Sequence, residues 1–157
     1  VVKANAAGLT NAYAYDSGIF EWTTTYSSDA SLLGKTPADK SMIISKDKFK
    51  AKQLSKEEFI AKAKGENVLV YDVREPIQRK KNPDIGVFVN FVSLQPLANN
   101  LGNETFIKLN KTKTLLIYDA VGKQVRWLQY HLEANGFTDY YFLNKGAWSF
   151  FGESGAN

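Results

Sequence analysis

The chain has no cysteine, one histidine and one methionine in 157 residues. The missing thiols exclude disulfides, thiolate metal sites and a cysteine nucleophile. A transition-metal site would have to be built almost wholly from carboxylates, and none cluster in the sequence. We therefore expect no metal and no cofactor. The one histidine, His131, lies in the middle of a helical pattern, which argues against a Ser-His-Asp arrangement. Arginine is scarce: 17 of the 20 basic residues are lysine, in a chain of net charge +4. Nucleic-acid surfaces more often cluster arginine with interleaved aromatics, so nucleic acid is not an expected partner. No apolar run approaches the roughly 18 residues of a membrane span. No signal-peptide pattern opens the chain. These absences leave the cellular compartment open.

What is present reads as α/β. With 44% hydrophobic residues the chain can bury a core of ordinary domain size. Runs at 68–71, 87–92 and 115–118 are nearly all apolar, as strands buried on both faces are. Helical patterns between them imply right-handed crossovers and a parallel sheet. Ser55-Lys56-Glu57-Glu58 is a capping box, and Phe59, Ile60 and Ala63 give the helix it opens a buried face that Gly65 ends. Arg79-Lys80-Lys81 reads as a solvated charged loop rather than an anion site. Lys46, Lys48, Lys50 and Lys52 alternate with other residues, as in an edge strand blunted by lysines; a basic binding ridge is the other reading.

The candidate site is the loop after the strand at 115–118. Asp119, Ala120, Val121, Gly122, Lys123 and Gln124 lie between that strand and a helix. In the helix Val125, Leu128 and Leu132 recur at helical spacing, and Gly136 stops the pattern. In an open α/β sheet, chemistry sits at the carboxyl ends of strands. Loop amides that converge there favour an anion. Asp119 stands first in the loop, where a nucleophile would stand. The structural alternative is that its carboxylate caps the loop by accepting bonds from the following amides. A haloacid-dehalogenase reading fails because Val121 stands where a second aspartate is needed. A phosphate-binding P-loop fails at Ile117 and Gln124.

The chain resembles a rhodanese domain over roughly 54–150. The residues that carry the likeness are Tyr118-Asp119-Ala120-Val121-Gly122-Lys123-Gln124, Asn135-Gly136-Phe137 and Leu143-Asn144-Lys145-Gly146-Ala147-Trp148. Upstream, Asp72, Arg74 and Glu75 are similar to the family's Asp-x-Arg-Glu motif. The resemblance implies sulfur transfer through a persulfide on a cysteine at the first loop position. Here that position is Asp119. Gln124 and the Asp84-Ile85 pair also depart from the family pattern.

The N-terminal stretch repeats the C-terminal one. Residues 6–13 align without gaps with 134–141, and 16–18 with 144–146, at a constant separation of 128 (Gly8 to Gly136, Gly18 to Gly146). Ala6, Gly8, Thr10, Tyr13 and Gly18 are identical to their partners, a signature of internal repetition. We therefore expect the native N-terminus to precede Val1.

The fold expected is α/β: a rhodanese-like parallel sheet of about five strands with helices on both faces, preceded by the C-terminal remnant of a homologous domain. The expected divisions are 1–22 remnant, 23–53 linker, 54–151 domain and 152–157 tail. The expected function is a catalytically inactive domain with a binding, regulatory or structural role. One alternative is a fragment of a tandem sulfurtransferase whose cysteine lies in a missing repeat. Another is a hydrolase using Asp119. A small anion is not expected at the loop. The expected partner is a preceding repeat or another copy of the chain, met through aromatic surface at Phe20, Trp22, Trp127 and Tyr130.

Overall fold

The computed structural model describes residues 2–9, 11–14, 18–81, 91–93 and 111–152. Among them, β1 (Gln53–Leu54), β2 (Val68–Asp72), β3 (Phe91–Ser93), β4 (Thr114–Tyr118) and β5 (Tyr140–Leu143) form one sheet. The order is β1-β5-β4-β2-β3. Every pairing is parallel. Four strands carry the sheet, and β1 adds two residues at one edge. Of the run expected at 87–92, residues 91–92 fall in β3, and the rest lies outside the described residues. Asp84 lies outside them too.

The chain divides into two compact units at Ile43/Ile44, and the second holds the sheet. Alternation along the strands sends side chains to opposite faces. Leu115 and Ile117 of β4 join a core with Tyr71, Val73, Tyr140 and Phe142. Leu116 and Tyr118 join a second core with Val68, Val70, Leu143 and Phe59. Helix α4 (Lys56–Ala63) covers the second face through Phe59 and Ala63. The helix after the candidate loop, α6 (Val125–Ala134), covers the first through Val125, Leu128 and Leu132. Helices thus lie on both faces.

The local signals explain the helix ends. Ser55 accepts from the Glu58 amide while Glu58 accepts from the Ser55 amide, so the capping box is complete. Gly136 follows α6 with φ +75°. The Gly136 amide donates to Glu133 O (3.0 Å) and the Phe137 amide to Leu132 O (2.9 Å), which is a Schellman motif. Phe137 is buried in the same core as Leu132, completing the apolar contact that accompanies this turn. Gly65 follows the C-cap of α4 without a left-handed φ, so it ends that helix by position and not by conformation.

Two expectations are corrected. Lys46–Lys50 is a helix, α3, and not an extended edge. Ser45 caps it by accepting from the Lys48 amide (3.1 Å), and Asp47 lies in its first turn, where the helix dipole favours a negative charge. The edge strand begins later, at Gln53. Arg79-Lys80-Lys81 belongs to helix α5 (Pro76–Lys81), not to a loop. Pro76 stands at its first position, and the Glu75 amide donates to Gln78 Oε1 (2.9 Å).

The first unit holds α1 (Val2–Ala6), α2 (Gly18–Thr25) and a short 3-10 turn at Lys40–Met42. No helix of the described residues is long and apolar enough to cross a membrane.

Candidate functional site

The site begins where β4 ends. Asp119 follows Tyr118 directly and is wholly buried, with its backbone at the carboxyl edge of the sheet. Its side chain turns into the loop that follows. Oδ1 accepts from the amides of Val121 (3.0 Å) and Gly122. Oδ2 accepts from the amides of Gln124 (2.6 Å) and Val125 (3.0 Å). A carboxylate has about four lone-pair sites, and all four are engaged. Two of the donors are the N-cap of α6, Gln124, which makes no side-chain cap of its own, and the first helical residue, Val125. Asp119 therefore closes the loop and caps the helix at once.

A second turn locks the loop from the other side. The Ala147 amide donates to Asp119 O (2.8 Å) and the Trp148 amide to Ala120 O (3.1 Å). Gly122 and Gly146 meet back to back. Both have positive φ, +75° and +54°. A Cβ on Gly122 would stand 2.7 Å from Lys145 N, and one on Gly146 would stand 2.7 Å from both Asp119 Oδ1 and Gly122 N. Neither position has room for a side chain. Lys123 and Gln124 are exposed.

Beside the loop, Asp72 and Arg74 form a buried pair at the end of β2. Arg74 Nη2 donates to Asp72 Oδ2 (2.7 Å) and Nε to Asp72 Oδ1 (2.9 Å). Asp72 is the register partner of Tyr118, and the Arg74 guanidinium lies 5.5 Å from the Tyr118 ring centroid. Burial alone would lower the pKa of Arg74, but bonding to Asp72 and its charge outweigh it and raise the value. Burial, with the Asp72 charge, pushes the Tyr118 phenol up. Glu75 is half-buried and outside this pair. The motif is an electrostatic pin under the site, with Arg74 turned to Asp72.

Of the four aromatics expected at an interface, Trp127 is 45% exposed and Trp22 is 39% exposed. Tyr130 is half-buried, and its hydroxyl accepts from the Ile44 amide (3.0 Å). The side chain of Phe20 lies outside the described residues. The outer face of α6 is partly covered from within its own unit. Arg126 donates to Ile44 O (2.9 Å), and Lys48 pairs with Glu133 (2.5 Å). A polar cluster behind this face escaped sequence reasoning. Gln129 is wholly buried and donates to Tyr140 Oη (3.0 Å), which donates to Glu133 Oε1 (2.7 Å). The available signal was a glutamine on the same stripe as Val125, Leu128 and Leu132.

Three solved structures are similar in fold. A rhodanese-like domain protein from Staphylococcus aureus aligns at 21% identity over 62% of this chain and 89% of its own, with a TM-score of 0.49. A rhodanese-related protein from Thermoplasma volcanium aligns at 16% identity over 65% and 92%, with a TM-score of 0.49. Wild-type EanB aligns at 13% identity over 67% of this chain and 26% of its own, with a TM-score of 0.51. No family model and no curated protein matches the chain. The fold is rhodanese-like. At the first position of its site loop this chain carries an aspartate, and it has no cysteine anywhere.

Proposed function

We propose that the second unit is a catalytically inactive rhodanese-like domain with a binding, regulatory or structural role. The observation that carries this reading is the saturation of the Asp119 carboxylate by four loop amides. A loop that presents several N–H groups to one point is built to hold a negative charge. In this chain the charge is covalently part of the loop. An external anion would have to displace a tethered carboxylate and would meet its repulsion, so the loop is closed to thiosulfate and similar donors. A carboxylate cannot carry a persulfide, because sulfur transfer requires a thiolate nucleophile.

The same geometry disfavours a hydrolase built on Asp119. A nucleophile or general base needs a free lone pair and an activating neighbour. Here every acceptor site is taken and the residue is fully buried. Thiosulfate-to-cyanide transfer by the purified protein tests the proposal. No thiocyanate above the blank is expected. Asp119→Cys alone is expected to give no efficient turnover, because Gln124 and Asp84 also depart from the family pattern. Robust transfer by the unaltered protein would refute the reading; robust transfer by the variant would show that Asp119 alone accounts for the inactivity.

A further inference from the structure

The first unit has exposed apolar surface that its own residues do not cover. Leu9 is 62% exposed, Tyr13 is 91% exposed and Tyr26 is 44% exposed. Among its described residues the buried hydrophobic ones are two alanines, Ala30 and Ala38.

The second unit contains a copy of this segment in its completed form. The separation of 128 that relates Gly8 to Gly136 also relates the hydrogen bonds around them. Helix α1 ends at Ala6, and α6 ends at its counterpart Ala134. The Gly8 amide donates to Asn5 O (3.0 Å), as the Gly136 amide does to Glu133 O (3.0 Å). The Leu9 amide donates to Ala4 O (3.0 Å), as the Phe137 amide does to Leu132 O (2.9 Å). The two glycines share the left-handed conformation, φ +82° and +75°. So the repeat read in the sequence is also a repeat of structure, bond for bond, through one Schellman motif.

The copies differ in what covers them. Phe137, the counterpart of Leu9, is 4% exposed, and Tyr140, the counterpart of Ala12, is 1% exposed; both lie in the core with Leu115 and Ile117. Residues 140–143 form β5, paired in parallel with β4. Their counterparts at 12–14 are described and lie in no strand. The second copy therefore shows what is absent among the described residues of the first: a parallel strand equivalent to β4 and the apolar sheet face beside it.

We infer that the described residues 2–9, 11–14 and 18–25 belong to the closing segment of a further rhodanese-like domain, and that residues 12–14 add as a strand to a parallel sheet supplied by the preceding part of the same polypeptide. Leu9 is buried by that addition, as Phe137 is in the second unit, and Tyr13 is partly covered, as its counterpart Tyr141 is. Main-chain pairing supplies affinity and the alternate side chains supply register.

Amide hydrogen exchange on the protein as its gene encodes it, at low micromolar concentration, tests this. Residues 12–14 are expected to exchange at least about 100-fold more slowly than an unstructured chain, in the manner of a paired strand. Leu9→Lys in the same protein is expected to abolish that protection and to leave residues 140–143 unchanged. Exchange of 12–14 at unstructured rates in the unaltered protein would overturn the inference, whatever the variant does. So would protection that survives Leu9→Lys. Protection that appears only as the protein dimerises in sedimentation would also overturn it, and would assign the strand to a second copy of the chain.

Discussion

Removing the Asp119 carboxylate should unfold the second unit far more readily than the loss of an ordinary helix cap. Replacing a cap residue by alanine costs about 0.5–2 kcal/mol. Asp119 does more than cap. Its oxygens accept four amides, two of them from the buried residues Gly122 and Val125. A hydrogen bond to a charged group contributes about 1.5–3 kcal/mol, and a buried donor left unsatisfied costs about 1–3 kcal/mol. Against this stands the desolvation of the carboxylate, several kcal/mol for a buried ion. The four bonds share one acceptor group, so their contributions do not add in full. The balance we expect for Asp119→Ala is a loss of about 3–6 kcal/mol on these terms. With a urea slope of about 1–3 kcal/mol/M, the midpoint should fall by at least about 1 M. Asp119→Asn should lose nearly as much, because its amide nitrogen turns donors toward donors. Urea unfolding followed through the tryptophans, two of which, Trp127 and Trp148, lie in this unit, reads the effect. A loss near 1 kcal/mol for both variants would mean that Asp119 is only a cap and that the loop holds its shape without it.

Two further outcomes follow from the same structure. Gly146→Ala should destabilise the unit by at least about 2–3 kcal/mol in the same assay, because it combines a left-handed backbone with a Cβ pressed into Asp119 and Gly122. Stability should fall on the acid side through Glu133 and His131. Partial burial raises the Glu133 carboxyl, but hydrogen bonds from Lys48 and Tyr140 outweigh it and hold its pKa below the ordinary value of 4.5. Burial holds His131 below 6.5. In both cases the unfolded chain binds more protons, so the stabilisation is present above the unfolded pKa and is lost as pH falls through the folded one. Thermal melts between pH 4 and 8 should show this slope, and Glu133→Gln with His131→Asn should flatten it.

The sequence made the site's frame legible because its signals are local. An apolar run, a six-residue loop with a glycine, and a helical stripe ended by Gly136 each depend on neighbours a few residues away. The Ser55–Glu58 capping box is legible for the same reason. Lys46–Lys50 was misread because one turn of helix is too short to separate period 2 from period 3.6, and the Ser45 cap carried the decisive signal. The charged residues after Gln78 were misread although Pro76 marks a helix start. What the sequence could not show is convergence across distance. The packing of Gly122 on Gly146, and the cluster of Gln129, Glu133, Tyr140 and Lys48, join residues from different elements. That Asp119 engages four amides, rather than one or two, is a matter of loop geometry and could be read only from the structure.

The central claim is that the loop's anion position is already occupied by Asp119. NMR titration of the amides of Val121, Gly122, Gln124 and Val125 with sulfate and thiosulfate tests it most directly. In the unaltered protein these resonances should not move beyond a general salt response. In Asp119→Ala, under conditions where it folds, they should shift together and saturate, and the added anion should raise the melting temperature as binding to the folded state requires. Saturable shifts at these four amides in the unaltered protein would contradict the account.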